Sequence, residues 1–187
     1  MEKQEKLEEI AKRVTACQKC GLYKNATKSV PGEGAADAEV VFIGEAPGFN
    51  EDQRGIPFCG ASGRLLDKLL VSIGLRRNEV WIGNVIKHRP SANRDPSPGE
   101  IEACRPFLDE QIKIINPKII VTLGRFSMNK FLPGEYISRI HGQARYVDFA
   151  DKRRIVIPMY HPAAALRNGR IMEEIKEDFK KITTRTA

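Results

Sequence analysis

Apolar positions in this chain gather into four short continuous runs, at residues 39–44, 80–86, 118–124 and 154–160. Runs of that length suit strands buried on both faces. Helical spacing fills the intervals. Leu7, Ile10 and Val14 mark a helix over 3–16, and Leu65, Leu66, Leu69 and Leu70 share one face over 62–74. Another helix is predicted over about 98–115, with Ser97 as N-cap and Glu100 three residues on. A short helix follows residue 124, and a terminal one covers about 170–182. Residues 17–22 read as a tight turn and 28–37, rich in Gly, Ala and Pro, as a loop. Strands alternating with helices predict an α/β fold, a parallel sheet with helices on both faces.

Three informative loops leave strand C-termini, from Gly44, Asn84 and His161 onward. Ligands of such sheets sit at that edge. The loop after Gly44 is long, and a long loop inside a compact domain is usually functional. There is no internal repeat, linker or low-complexity segment.

Composition narrows the class without deciding it. The 187 residues are 41% hydrophobic and 29% charged, as expected for one soluble globular domain over residues 1–187. The formal net charge of +7 permits a polyanionic partner but does not require one. The N-terminus is charged and no run could span a bilayer, so an intracellular, cytoplasmic protein without a membrane partner is expected. Cys17 and Cys20 form a Cys-x-x-Cys pair, which points to metal binding or thiol chemistry. A thiol redox protein fits poorly, because the predicted helix precedes the pair rather than following it.

The strand-end loops bring together Glu45, Phe58, Asn84 and His161. They offer an acid or base, a flat apolar surface, an amide and an imidazole, which fits a planar heterocycle. Asn presents a donor and an acceptor side by side, and Phe can stack under a ring. Each also has a structural reading: a solvated acid, a core ring, a turn cap and a satisfied histidine.

The motifs GEAPG (44–48), GIPFCGASGRLLD (55–67), NVIKHRPSANRDPSPGE (84–100) and HPAAALRN (161–168) resemble the family 4 uracil-DNA glycosylases, the thermostable, iron–sulfur type. The resemblance runs from Cys17 to about Arg170. It implies a three-layer αβα sandwich around a four-stranded parallel sheet, and hydrolysis of the N-glycosidic bond of deoxyuridine in single- or double-stranded DNA. Phe58 would stack on the flipped uracil, Asn84 would read its edge, and His161 would donate to O2. Glu45 would act on the water, Ala46 would hold the base through its backbone, and Glu51 would exclude the methyl of thymine. Leu166 and Arg167 would enter the minor groove. Arg64, Lys87, Arg89 and Arg94 are candidates for phosphate contacts. A monomer is expected. Some relatives bind a sliding clamp, but no convincing clamp motif occurs here.

The family also holds a 4Fe–4S cluster on four cysteines. Cys17, Cys20 and Cys104 match, whereas His88 stands at the third position. Three readings follow: His88 ligates the fourth iron, as imidazoles do in Rieske centres; the set holds structural Zn2+ as Cys3His; or the cluster is a labile three-ligand form. A crosslinking branch of the superfamily also has His there, but attacks DNA with a second histidine in an inserted loop. RPSANRDP has none, so turnover is expected, with uracil-DNA binding or crosslinking as the alternative. Cys59 has no assigned role.

Overall fold

The computed structural model describes residues 2–186. Six strands form one sheet: β1 (Glu33–Gly34), β2 (Val40–Gly44), β3 (Trp81–Asn84), β4 (Ile119–Leu123), β5 (Arg145–Phe149) and β6 (Lys152–Met159). Their order is β1-β3-β2-β4-β6-β5. The inner β3, β2, β4 and β6 are parallel, and β1 and β5 are antiparallel edges. The anticipated four-stranded parallel sheet is therefore only the centre of a six-stranded mixed one. The edges escaped for local reasons. β1 is two residues long in a Gly- and Pro-rich stretch. β5 alternates half-buried with exposed positions, so it presents no apolar run. Its turn into β6 uses Ala150 and Asp151, both at positive φ and without the usual glycine signal.

Helices cover both faces. They are α1 (Lys3–Thr15), α2 (Phe49–Arg54), α3 (Ala61–Ser72), α4 (Pro98–Ile115), α5 (Arg125–Phe131), α6 (Ile137–Ile140), α7 (Pro162–Ala165) and α8 (Gly169–Thr186). Period-2 alternation splits the core. Val41 and Ile43 of β2 pack toward α1 and α4 with Ile10, Leu108 and Ile112. Val40 and Phe42 face α3 and α8, meeting Leu66, Leu70, Ile175 and Phe179. The result is the expected three-layer sandwich. α2 lies inside the long loop predicted after Gly44, its six residues too few to show a helical period.

Strand register builds the functional edge. Gly44 of β2 lies beside Asn84 of β3, and the pairing continues as Val85 N–H donates to Gly44 O and Ile86 N–H to Glu45 O, both at 3.0 Å. Both loops thus leave the sheet at one level.

The N-terminus of α4 carries the capping box read from the sequence. Glu100 N–H donates to Ser97 Oγ, and Ser97 N–H donates to Glu100 Oε2 at 2.8 Å. Arg94 forks onto the same carboxylate. That hydrogen-bonded guanidinium and the Ser97 amide hold the Glu100 carboxyl down to about 2. Its charged form is thus favoured in the folded state. The stabilisation is complete above its ordinary value of 4.5 and is lost as pH falls toward 2. Glu100→Gln should lower the melting temperature by a few degrees at pH 7. In thermal scans the gap from the parent should close as pH falls to about 2.

Candidate active site

The edge where β2, β3, β4 and β6 end gathers the residues picked from the sequence. Gly44 closes β2, and a side chain there would collide with the rest: a Cβ would lie 2.5 Å from Asn84 Oδ1 and 2.6 Å from Phe58 Cζ. The amide and the phenyl ring therefore converge over a bare backbone. Asn84 is 2% exposed, and its Oδ1 has no hydrogen-bond partner among the described residues. Burying a polar atom unpaired costs on the order of 1–3 kcal/mol. A buried acceptor without a partner is a feature that a ligand donor would satisfy.

Phe58 is held in an unusual backbone state, with φ at 48°. Gly63, in the first turn of α3, makes this possible, since a Cβ there would fall 1.6 Å from Phe58 O. The Phe58 ring stacks on His161, with centroids 5.5 Å apart and planes 27° apart. Glu51 of α2 secures the next residues: its Oε1 accepts from Cys59 N–H and Gly60 N–H, both at 2.9 Å. The site uses the backbone of residue 59; nothing in the structure explains its thiol. Arg77, which the sequence reading passed over, donates to Pro57 O and Phe58 O from the other side. No local motif in the sequence marks it, because its targets lie about twenty residues away.

His161 is the N-cap of α7. Its Nδ1 accepts from Ala163 N–H at 3.1 Å, which assigns the proton of the neutral ring to Nε2. Burial pushes its pKa down to about 4, against a weaker opposing pull from Glu51. The ring is thus a neutral Nε2–H donor at physiological pH. Burial pushes Glu45 above the ordinary carboxyl range; Asp95 adds to the rise and Arg125 opposes it. Ala46 is half-buried beside it. Past α7, Leu166 is 48% exposed and Arg167 is exposed, in the same loop as His161. Among the candidate phosphate contacts, Arg64 and Arg89 belong to the structure's periphery, with Arg89 over the exposed ring of Phe49. Arg94 is committed to Glu100. Lys87 is a correction: it is fully buried, its Nζ donating to Pro31 O and Gln111 Oε1, and so cannot meet a phosphate.

The second set of candidates lies at the α1–α4 face. Cys17, Cys20 and Cys104 border one apolar cluster. Cys104 Sγ accepts from Lys87 N–H at 3.3 Å. Burial pushes its thiol up to about 11, against the opposing pull of Lys87, with small added rises from Cys20 and Cys17. His88 is buried, and it lines an open cleft with Cys17, Tyr23 and Thr27. Among the described residues, no three such side chains stand close enough to grip a single metal ion. Three thiols and an imidazole are nevertheless a donor set whose chemistry suits an iron–sulfur cluster, and of the four Cys17 and His88 line the cleft.

The Uracil DNA glycosylase superfamily profile matches residues 31–184. Similar proteins share nearly the full length. A Type-4 uracil-DNA glycosylase of Sulfurisphaera tokodaii is 50% identical, over 94% of this chain and 83% of its own. One of Archaeoglobus fulgidus is 48% identical, over 95% and 92% respectively. One of Thermotoga maritima is 41% identical, over 96% and 94%.

The state of His161 is open to direct observation. Its folded pKa lies below the ordinary 6.5, so its ring proton signals should stay flat from pH 8 down to about 5.5 in an NMR titration. The sign for stability follows. The unfolded chain takes up a proton as pH drops through 6.5 and the folded ring does not, so this residue lowers stability toward pH 4. A midpoint near 6.5 would contradict the assignment.

Proposed function

The chain belongs to the uracil-DNA glycosylase superfamily, with type-4 enzymes among its near-full-length relatives, and we propose that it removes uracil from DNA by hydrolysing the N-glycosidic bond and leaving an abasic site. The observation that carries the reading is the buried, unpartnered Asn84 Oδ1 beside the Phe58 ring. Uracil supplies what that corner lacks, an N3–H donor on a flat ring.

The chemistry then divides among the chain's own groups. The nucleotide leaves the base stack and its uracil lies against Phe58. Asn84 Oδ1 accepts from N3–H while its NH2 donates to O4. Cytosine offers the reverse pattern and leaves buried groups unpaired, which is a strong penalty. As the bond from N1 to the sugar breaks, its electron pair moves onto the base and charge grows on O2. The neutral His161 Nε2–H meets that oxygen. Such a preorganised donor is worth about 3–4 kcal/mol. Glu45, its carboxyl raised by burial, takes the proton of the water that attacks the sugar, and its charge favours the cationic sugar before that. The Ala46 backbone steadies the base. Glu51, fixed by two amides, borders uracil C5 and leaves no room for a methyl. Leu166 and Arg167 fill the gap in the duplex, with Leu166 as the wedge.

We assign Cys17, Cys20, Cys104 and His88 to a 4Fe–4S cluster, which supplies a covalent tie rather than chemistry on the base. The resemblance carried by Cys17, Cys20 and Cys104 favours this over zinc, although Cys3His is also a normal structural zinc set. No helix among the described residues is long and apolar enough to cross a membrane. The protein fits a cytoplasmic repair enzyme that works as a monomer, on single- or double-stranded DNA.

A denaturing gel of a labelled single-uracil oligonucleotide tests the function. Cleavage after alkali treatment, and none without it, is the expected pattern. A slow band of protein–DNA size would instead assign the chain to the crosslinking branch, and no product at all would make it a binding module. In the same assay Asn84→Asp should begin to release cytosine; complete rejection of cytosine by that variant would refute the edge reading. For the cluster, His88→Cys should keep iron and the fold, as read by iron content and visible absorption. His88→Ala should lose iron where His88→Cys keeps it, and full iron content in His88→Ala would remove His88 from the ligand set.

A further inference from the structure

We infer that Arg77 is a positioning residue for base recognition, acting through Phe58 from outside the pocket. The inference rests on the reading of Phe58 as the ring under uracil. Arg77 follows α3, immediately before β3, and its guanidinium reaches back about twenty residues. Nη1 donates to Phe58 O at 3.2 Å and Nη2 to Pro57 O. Two carboxylates aim the fork: Asp67 Oδ1 accepts from Nη1 at 3.0 Å, and Glu33 Oε1 from Nε and Nη2 at 3.1 Å. The side chain is 27% exposed, so the fork is largely shielded.

The arrangement forms a clamp with opposite charges on its two jaws. The cation takes the carbonyls of Pro57 and Phe58, and the anion of Glu51 takes the amides of Cys59 and Gly60. Each jaw binds backbone groups of the polarity it attracts. Between them Phe58 sits at φ 48°, a conformation that a bulky residue adopts only when its surroundings impose it. Lys could supply the charge but not the planar fork that spans two successive carbonyls and two carboxylates. Without the clamp the peptide at 57–58 is free to return to an ordinary φ, and the ring leaves its place over Gly44 and against His161.

The test uses the whole protein and two ligands, free uracil as an inhibitor of excision and uracil-free DNA. Arg77→Ala should raise the inhibition constant of uracil by roughly tenfold or more, since small misplacements of a contact group carry losses of that order. It should leave affinity for uracil-free DNA unchanged. Arg77→Lys should recover only part of the loss. Phe58→Ala sets the scale, and the Phe58→Ala, Arg77→Ala double variant should lose no more than Phe58→Ala alone. Arg76→Ala, which removes a neighbour paired with Glu79, should match the parent. If Arg77→Ala does not fold, Asp67→Asn keeps the test open, because it loosens the aim of the fork and should raise the same constant a few-fold. An unchanged constant overturns the inference, as does a loss that multiplies with Phe58→Ala or an equal loss of affinity for uracil-free DNA. A Phe58→Ala variant that still binds uracil like the parent would refute the stacking role itself, a different outcome from failure of the clamp.

Discussion

Where β2 and β3 end side by side, at Gly44 and Asn84, the chain leaves room for one carboxamide and one phenyl ring over a bare backbone, and the remaining site is arranged around that shared space. The parallel register brings Asn84 to the same level as Gly44. Gly63 then lets the Phe58 carbonyl come down onto α3, and the ring swings over Gly44 toward His161. Two glycines, far apart in sequence, are thus needed at places where a Cβ would strike backbone or ring. The cost of the arrangement is an unpaired acceptor, Asn84 Oδ1, which the substrate's N3–H would relieve.

Electrostatics follows from the same closeness. Burial drives the two ionisable groups of the edge in chemically useful directions. It keeps His161 neutral, so that the group proposed to meet O2 is a hydrogen-bond donor and carries no charge that would also attract DNA phosphates. It raises Glu45, which makes its carboxylate a stronger base toward water. α2 links this edge to the cysteine face. Glu51 holds the Phe58 loop, while its neighbour Asp52, 1% exposed, accepts from Thr27 N–H at 2.8 Å, beside the cleft lined by Cys17 and His88. The proposed cluster would fix the segment that α2 leans on, which gives it a role in positioning without a role in the reaction.

Much of this was legible in the sequence. Continuous apolar runs located the inner strands to within two or three residues, because strands buried on both faces leave no other pattern. Ser97 and Glu100 announced α4 through a local rule that involves only four residues. The strand-end loops likewise declared Glu45, Phe58, Asn84 and His161. What stayed hidden depends on distant partners. β5 has a half-exposed pattern that only its pairing with β6 makes a strand. Lys87 looked like a surface cation until Pro31 O and Gln111 enclosed it. Arg77 lies in a run of polar residues, and its importance lies in carbonyls that the fold alone brings within reach.

The central claim is that the Asn84–Phe58–His161 corner is a uracil site waiting for its N3–H, and a crystal structure with free uracil bound would test it most directly. The account predicts the base flat against Phe58, N3–H donating to Asn84 Oδ1, O4 accepting from the Asn84 NH2, and O2 within hydrogen-bond reach of His161 Nε2. Uracil bound elsewhere, or bound here with Asn84 Oδ1 still unpartnered, would contradict it.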